Sequence, residues 1–169
     1  YDAFNPYDVR NDRGVSDRNR THMFSLGHTY QFPFGPGKRF LPNASGLVRH
    51  LVEGWMFTGV TLAQTGLPVT PRLANSSSLN SDIGLRPDLV GDPTLASPSR
   101  GLWFRPAAFA VPGLYRMGTA GRNILRGPRF FEANWALNKV FRIDEKRALE
   151  FHFETFNTFN NTNLGNPNN

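Results

Sequence analysis

The chain has 169 residues, with 19 lysines and arginines against 13 aspartates and glutamates, so its formal net charge is +6. Charged residues make up 19% of it, below the roughly 25% of an average soluble domain, while Phe occurs 15 times, Gly 16 times and Pro 13 times. Cysteine is absent, which excludes a disulfide scaffold, a Cys-ligated zinc or iron–sulfur site and a cysteine nucleophile. No apolar run approaches the ~18 to 20 residues that a membrane-spanning helix needs.

The two ends of the sequence lack the features of a complete open reading frame. Tyr1 is not an initiator Met, and no basic and apolar targeting segment follows it. Residues 166–169, Asn-Pro-Asn-Asn, form a turn-rich run that ordinarily connects elements. We therefore expect the sequence to be an excised segment of a longer protein.

In chain order, the first strand predictions fall at residues 20–33 and 54–70. In the first, Phe24 and Tyr30 lie on one side with His28, while Ser25 and Thr29 take the other. The second is rich in β-branched and aromatic residues but carries apolar groups on both sides, so its prediction rests on propensity. Residues 47–52 between them are compatible with one or two helical turns ending before Gly54.

The strongest pattern runs from residue 129 to residue 159, where neither Pro nor Gly occurs. Odd-numbered positions are mainly apolar and even-numbered positions mainly polar, which is the period of two of a strand with one apolar face. A short connection at 144–146 divides the run into two strands, 129–143 and 146–159, and predicts a hairpin with arms of about 14 residues, long beside the usual 5 to 6.

Residues 72–127 contain five prolines, a run of serines and only brief apolar patches, and are predicted to be a long loop. The connections therefore alternate between long and shorter along the chain, as in outer-membrane barrels with long extracellular loops and short periplasmic turns. The predicted fold class is all-β: an antiparallel, long-stranded meander of about four strands, forming part of a transmembrane β-barrel. It does not close, because single-chain barrels begin at about eight strands.

Six short sequence motifs follow one another along the chain. They are GWMFTG (54–59), QTGLPV (64–69), RPDLVGDP (86–93), WFRPAAF (103–109), GRNILRGP (121–128) and ETFNTFNN (154–161). Together they resemble the C-terminal barrel region of Oar-like TonB-dependent receptors, from about residue 11 to the end of the chain.

This resemblance implies a location in the cell outer membrane of a Gram-negative-type bacterium and energy-coupled uptake or surface binding of a substrate. Receptors of that family carry a carboxypeptidase-regulatory-like domain and a plug before the barrel. The implied partners are outer-membrane lipid, the rest of the barrel and plug, and the TonB system, which would act through parts absent from this segment. The alternative from another class is a soluble β-sandwich that binds glycans or peptides.

The candidate site is a polar wall facing the barrel lumen. Glu150, His152 and Glu154 alternate along one strand and therefore share a face, as a metal-binding or proton-transferring row would. A solvated wall explains the same alternation without chemistry, so we expect no enzyme activity, no metal and no cofactor. The predicted members of the wall are Glu132, Asn134, Asn138, Glu150, His152 and Glu154.

A second candidate surface is aromatic and lies in the long loop. Trp103, Phe104, Phe109 and Tyr115 are predicted ligand contacts there, with a small core internal to the loop as the alternative. Ser76 to Ser78 lack the spacing of a nucleophile elbow and give no triad. The basic residues lie mostly in connections without a recognition helix or a dense stripe, so nucleic acid is not an expected partner.

The register of the hairpin decides whether its faces are real. Directly opposed residues share a face, so the apolar odd-numbered residues of both arms require pairs of equal parity. A three-residue connection, Ile143 to Glu145, places Trp135 opposite Phe153, Leu137 opposite Phe151 and Asn138 opposite Glu150. A shift by one residue gains a charge pair of at most about 1 kcal/mol and sends one arm's aromatic residues to the polar face, at ~1.5 to 3 kcal/mol each. Lys139 is the one cation on the apolar side, and we expect it to snorkel to the interface.

Overall fold

The computed structural model describes residues 9–73 and 85–167. Its strands there, in chain order, are β1 (Met23–Gln31), β2 (Trp55–Gln64), β3 (Pro68–Val69), β4 (Asp88–Leu89), β5 (Phe109–Ala110), β6 (Leu125–Arg126), β7 (Phe130–Arg142) and β8 (Ala148–Thr155). The long strands form one sheet in the order β1-β2-β7-β8, with antiparallel pairing and no closure into a barrel. This confirms the predicted all-β meander and partial barrel.

Aromatic and apolar side chains of the four long strands share one face of this sheet, the apolar face. The rings of His28, Phe57 and Trp135 contact one another across β1, β2 and β7, with centroids 4.8 to 6.3 Å apart. On the other side of β7, Leu137 lies opposite Phe153. The apolar face includes Phe24, Leu26, His28, Tyr30, Phe32, Trp55, Phe57, Trp135, Leu137, Phe141, Leu149, Phe151 and Phe153.

The hairpin keeps the predicted parity but not the predicted pairs. Trp135 lies opposite Thr155 instead of Phe153, Leu137 opposite Phe153 instead of Phe151, and Asn138 opposite His152 instead of Glu150. The whole register is shifted by two residues, so every side chain keeps its face. The second arm is also shorter than predicted, because β8 ends at Thr155, before the left-handed backbone of Asn157.

The shift originates in the turn. Ile143 continues the ladder, with its amide donating to the Arg147 carbonyl at 3.0 Å, so the turn comprises residues 144–146. The Asp144 carboxylate accepts hydrogen bonds from the amides of Lys146 and Arg147 and from the Arg147 side chain. These bonds, that from the Arg147 side chain foremost, hold the pKa of Asp144 below its ordinary value. The Asp144 amide also donates to the Arg147 carbonyl, giving the two-against-one pairing of a bulge.

The connection from β1 to β2 contains one helix, α1 (Gly46–Val52), in the segment where helical turns were expected. Lys139 reaches this helix from β7 and donates to the carbonyls of Leu51 at 3.0 Å and Glu53 at 2.7 Å. Its side chain is 2% exposed, so the expectation that Lys139 snorkels to the interface is wrong. The carbonyls at the end of α1 hold the ammonium group instead. No helix in the described ranges is long and apolar enough to span a membrane.

The remaining described residues form a second compact unit, made from 9–22, 64–73, 85–130 and 163–167. Two short antiparallel sheets, β3 with β6 and β4 with β5, organise it. Its small core contains Val69, Leu85, Ala108, Ala120 and Leu125. The predicted strand at 54–70 is therefore divided, because its last residues pair in this unit and not with β1 or β7.

Side-chain hydrogen bonds give the long loop an order that its composition does not predict. Asn123 sits in left-handed backbone and donates to the Val15 carbonyl at 2.7 Å and to Asp17 at 2.6 Å. Hydrogen bonds from Asn123 and then Arg122 hold the pKa of Asp17 below its ordinary value. The irregular loop predicted at 72–127 thus has its own strands and core in 85–127, while 74–84, with Ser76 to Ser78, lies outside the described residues.

The register can be tested with cysteine pairs, since the chain contains no cysteine. In the full-length protein, Ala136→Cys with Glu154→Cys joins directly opposed positions and is expected to oxidise to a disulfide. Ala136→Cys with His152→Cys stays on the same face but is diagonal, with side chains about 7 to 8 Å apart, and is expected to stay reduced. Mobility on non-reducing gels and peptide mass mapping distinguish the two. A disulfide in the diagonal pair alone would contradict the register.

Candidate functional site

The face of the sheet opposite the apolar face is the polar face. The β7–β8 register places the even-numbered residues of both strands there, and Thr58 of β2 joins them through a hydrogen bond to Asn138. All six residues of the predicted wall lie on this face: Glu132, Asn134, Asn138, Glu150, His152 and Glu154.

Four of the polar side chains form a row across three strands. Asn138 Nδ2 donates to Thr58 Oγ1 at 3.2 Å, and Asn138 Oδ1 lies 2.6 Å from His152 Nδ1. His152 Nε2 lies 3.3 Å from Glu150 Oε2. Each ring nitrogen of His152 therefore lies within hydrogen-bond distance of a side-chain oxygen, one from Asn138 and one from Glu150. Asn138 is 8% exposed and connects β2 to β8.

A second group lies further toward the start of β7. Asn134 Nδ2 donates to Glu132 at 2.8 Å, and Asn134 Oδ1 accepts from the Asn157 amide at 2.8 Å. The Asn157 side chain donates to the Asn161 carbonyl and accepts from the Asn161 amide, and these two hydrogen bonds stabilise the chain segment that follows β8. The structure therefore divides the predicted wall into two hydrogen-bonded groups, while Glu154 lies opposite Ala136.

A shallow cavity of about 530 Å³ opens on the sheet beside these groups. Thr58 and Asn134 line it together with Glu154. The small residues Gly27 and Ala136 leave room above the backbone there. Val60 and Phe156 line it as well, so hydroxyl, amide and carboxylate groups share the lining with apolar side chains, which suits a ligand with both polar and apolar parts.

The geometry offers no metal centre in the described ranges, where no cluster of three or more His, Asp or Glu side chains is arranged to hold an ion. The predicted row does not converge, because His152 turns one ring nitrogen to Asn138 and the other to Glu150. The chemistry of the row is therefore hydrogen bonding across strands.

Sequence reasoning missed a second cavity, of about 480 Å³ and with charged side chains in its lining, at the end of the sheet where β7 turns into β8. Its charged lining consists of Lys38, Arg49, Glu53 and Arg142. Arg49 and Glu53 form an ion pair at 2.9 Å, and this hydrogen bond holds the pKa of Glu53 below its ordinary value. Arg142 is an even-numbered residue at the end of β7, so the alternation in the sequence already placed it on the polar face and could have indicated this cavity.

The four aromatic residues of the long loop do not form one surface. The rings of Phe104 and Phe109 pack edge to face with centroids 5.9 Å apart, and Trp103 Nε1 donates to the Arg126 carbonyl at 2.8 Å. Tyr115 is separate, 87% exposed and in left-handed backbone. Three of the four positions thus stabilise the loop itself, and Tyr115 is the residue presented to solvent.

The apolar face differs from the surface of a water-soluble protein. Phe24 and Phe153 are each 56% exposed and Leu149 is 60% exposed. Leu26, Tyr30 and Phe151 on the same face are also exposed. Soluble monomers rarely expose contiguous apolar patches beyond a few hundred Å², so this face is built for an apolar surrounding.

The family model described as "Outer membrane beta barrel domain" matches residues 1–169, the whole chain. No curated protein and no solved structure matches.

The row across the polar face predicts a stability effect. Asn138→Ala removes the hydrogen bonds from buried Asn138 to half-buried Thr58 and to exposed His152. We expect it to destabilise the full-length protein by about 1 to 3 kcal/mol, since each hydrogen bond contributes roughly 0.5 to 1.5 kcal/mol. The midpoint of urea unfolding, followed by tryptophan fluorescence, measures the loss. The control Glu154→Gln alters an exposed carboxylate of the same face, and we expect no comparable change from it. Equal midpoints for Asn138→Ala and the wild type would contradict a structural role for the row.

Proposed function

Because the chain belongs to the outer membrane β-barrel domain family, we propose that it forms part of the barrel of a TonB-dependent receptor. That receptor takes up a substrate, or binds it at the cell surface, with energy supplied through TonB. Family membership itself makes the chain part of an outer-membrane barrel protein. Transport, the direction of the strands and the coupling to TonB belong to the proposal.

The observation that carries the proposal is the two-faced sheet. Its exposed apolar face suits the hydrocarbon layer, and the polar face suits a water-filled lumen, as in barrels whose strands alternate between lipid and lumen. The hydrogen-bonded row of Asn138, His152 and Glu150 and the cavity beside Glu154 would then line the path of a polar substrate.

Two further features support a receptor over a simple pore. The ordered strings that resemble Oar-like receptors extend through the long connection between β2 and β7, where 85–127 is an ordered unit with its own core. Such a connection offers a built surface for recognition, with Tyr115 exposed on it. The plug and the segment that contacts TonB are expected in other parts of the full-length protein.

The soluble β-sandwich alternative receives no support. A sandwich buries the apolar faces of two sheets against each other. Here the apolar face of the long-stranded sheet remains widely exposed, and the family is one of outer-membrane barrels. The proposal includes no catalytic step, since the polar residues of the wall bond to one another across strands.

Energy coupling is tested by uptake. The compounds removed from the medium are compared, by mass spectrometry, among wild-type cells, cells lacking the full-length protein and cells lacking TonB. We expect some compounds to be retained in the medium by both mutants, and re-expression of the protein to restore their removal only when TonB is present. Uptake that requires the barrel but persists without TonB would indicate a passive pore and contradict the proposal.

Orientation is tested by labelling single cysteines, since the chain has none of its own. Ser99→Cys lies in the long connection and Glu145→Cys in the β7–β8 turn, and both positions are exposed. On intact cells, a membrane-impermeant maleimide is expected to label Ser99→Cys and to label Glu145→Cys only after the outer membrane is permeabilised. Labelling of Glu145→Cys alone on intact cells would reverse the orientation.

A further inference from the structure

The β1–β2 connection places an amphipathic helix beside the apolar face. On α1, Leu47, Val48 and Leu51 lie on one side, and they are 83%, 53% and 64% exposed. Arg49 and His50 lie on the other side. A short helix with an exposed apolar side and a basic side suits the boundary between headgroups and acyl chains.

Lys139 holds this helix to the sheet. Its ammonium group donates to two carbonyls at the end of α1 and lies 4.7 Å from the centre of the Trp55 ring. Trp55 Nε1 donates to the same Leu51 carbonyl at 2.8 Å. The C-terminal end of α1 is therefore attached to the apolar face of the sheet through Lys139 and Trp55.

Between the helix and the sheet lies an open groove of about 440 Å³ with an almost purely apolar lining. Phe32, Trp55 and Leu137 of the apolar face form its floor, and Leu41 and Leu51 lie at its sides. Leu41 has a left-handed backbone, with φ of 55°, which a leucine adopts only when its surroundings require it. This conformation accompanies a side chain that lines the groove.

A row of aromatic rings marks the level of this groove. Tyr30, Phe32, Phe34 and Phe40 follow one another with ring centroids 5.3 to 6.0 Å apart. Aromatic residues are enriched at both interfaces of a membrane-spanning barrel. The Arg39 guanidinium lies 5.6 Å from the Phe40 ring, so a cation stands at the same level. Such a position favours contact with lipid headgroups.

We propose that this groove, between α1 and the ends of β1, β2 and β7, binds an acyl chain of a phospholipid in the periplasmic leaflet of the outer membrane. We infer an acyl chain as the occupant because the floor of the groove is continuous with the apolar face, which the barrel turns to lipid. The leaflet rests on the proposed function, which places the β1–β2 and β7–β8 connections on the periplasmic side.

The test uses the full-length protein in vesicles of phosphatidylethanolamine that carries a photoactivatable diazirine on one acyl chain, near its glycerol end. After illumination, cross-linked peptides are located by mass spectrometry. We expect cross-links in the peptide containing residues 41–55 and, as an internal standard for lipid contact, in the peptide containing β8. Absence of cross-links at 41–55 in the wild type would overturn the proposal.

Three variants separate a bound chain from general lipid contact. Leu51→Asp places a carboxylate at the side of the groove, and Val52→Trp fills it; both are expected to lose the cross-links at 41–55 and to keep those in β8. The control His50→Asp adds the same charge on the polar side of α1 and should keep both sets. Persistence at 41–55 in both groove variants would overturn the proposal, whereas absence of cross-links in β8 of the wild-type protein would count against the membrane barrel itself.

Discussion

Parity of pairing is the constraint on which the rest of the structure depends. In antiparallel strands the directly opposed residues share a face. A register shift by an odd number of residues would therefore put aromatic and carboxylate side chains together on both faces of the sheet. The pairing of Leu137 with Phe153 and of Asn138 with His152 maintains the separation through the last hairpin. An exposed apolar face, a polar row and a groove for an acyl chain are all consequences of this single rule.

The two faces also use different kinds of interaction. On the polar face, strands are joined by side-chain hydrogen bonds such as that between buried Asn138 and half-buried Thr58. On the apolar face, the contacts among His28, Phe57 and Trp135 are those of rings packed across strands. Lys139 is the exception, and its ammonium group is tolerated because two backbone carbonyls surround it.

Sequence reasoning succeeded where the signal was local. Alternation between residues 129 and 159 was enough to predict two strands whose even-numbered residues share one face and whose odd-numbered residues share the other. It misplaced the turn because it assumed that Ile143 leaves the strand. In the structure Ile143 stays in the ladder, and the Asp144 carboxylate stabilises a turn that begins one residue later. It misjudged Lys139 and the long loop for a different reason: their partners are remote in sequence, as with Lys139 and Leu51 or Asn123 and Asp17. No periodicity contains that information.

The small β3–β6 pair has a consequence for the order in which the sheet assembles. β1 with β2 and β7 with β8 are neighbours along the chain, but β2 and β7 are separated by the longest connection. Pairing of Val69 with Leu125 joins the two ends of that connection a few residues beyond β2 and before β7. Once β3 has paired with β6, only a short loop remains to be closed when β2 pairs with β7. Each halving of the effective loop length lowers the entropic cost of closing the loop by about 0.6 kcal/mol. The β3–β6 pair thus favours assembly of the long-stranded sheet, so the sequence of this connection is constrained by folding.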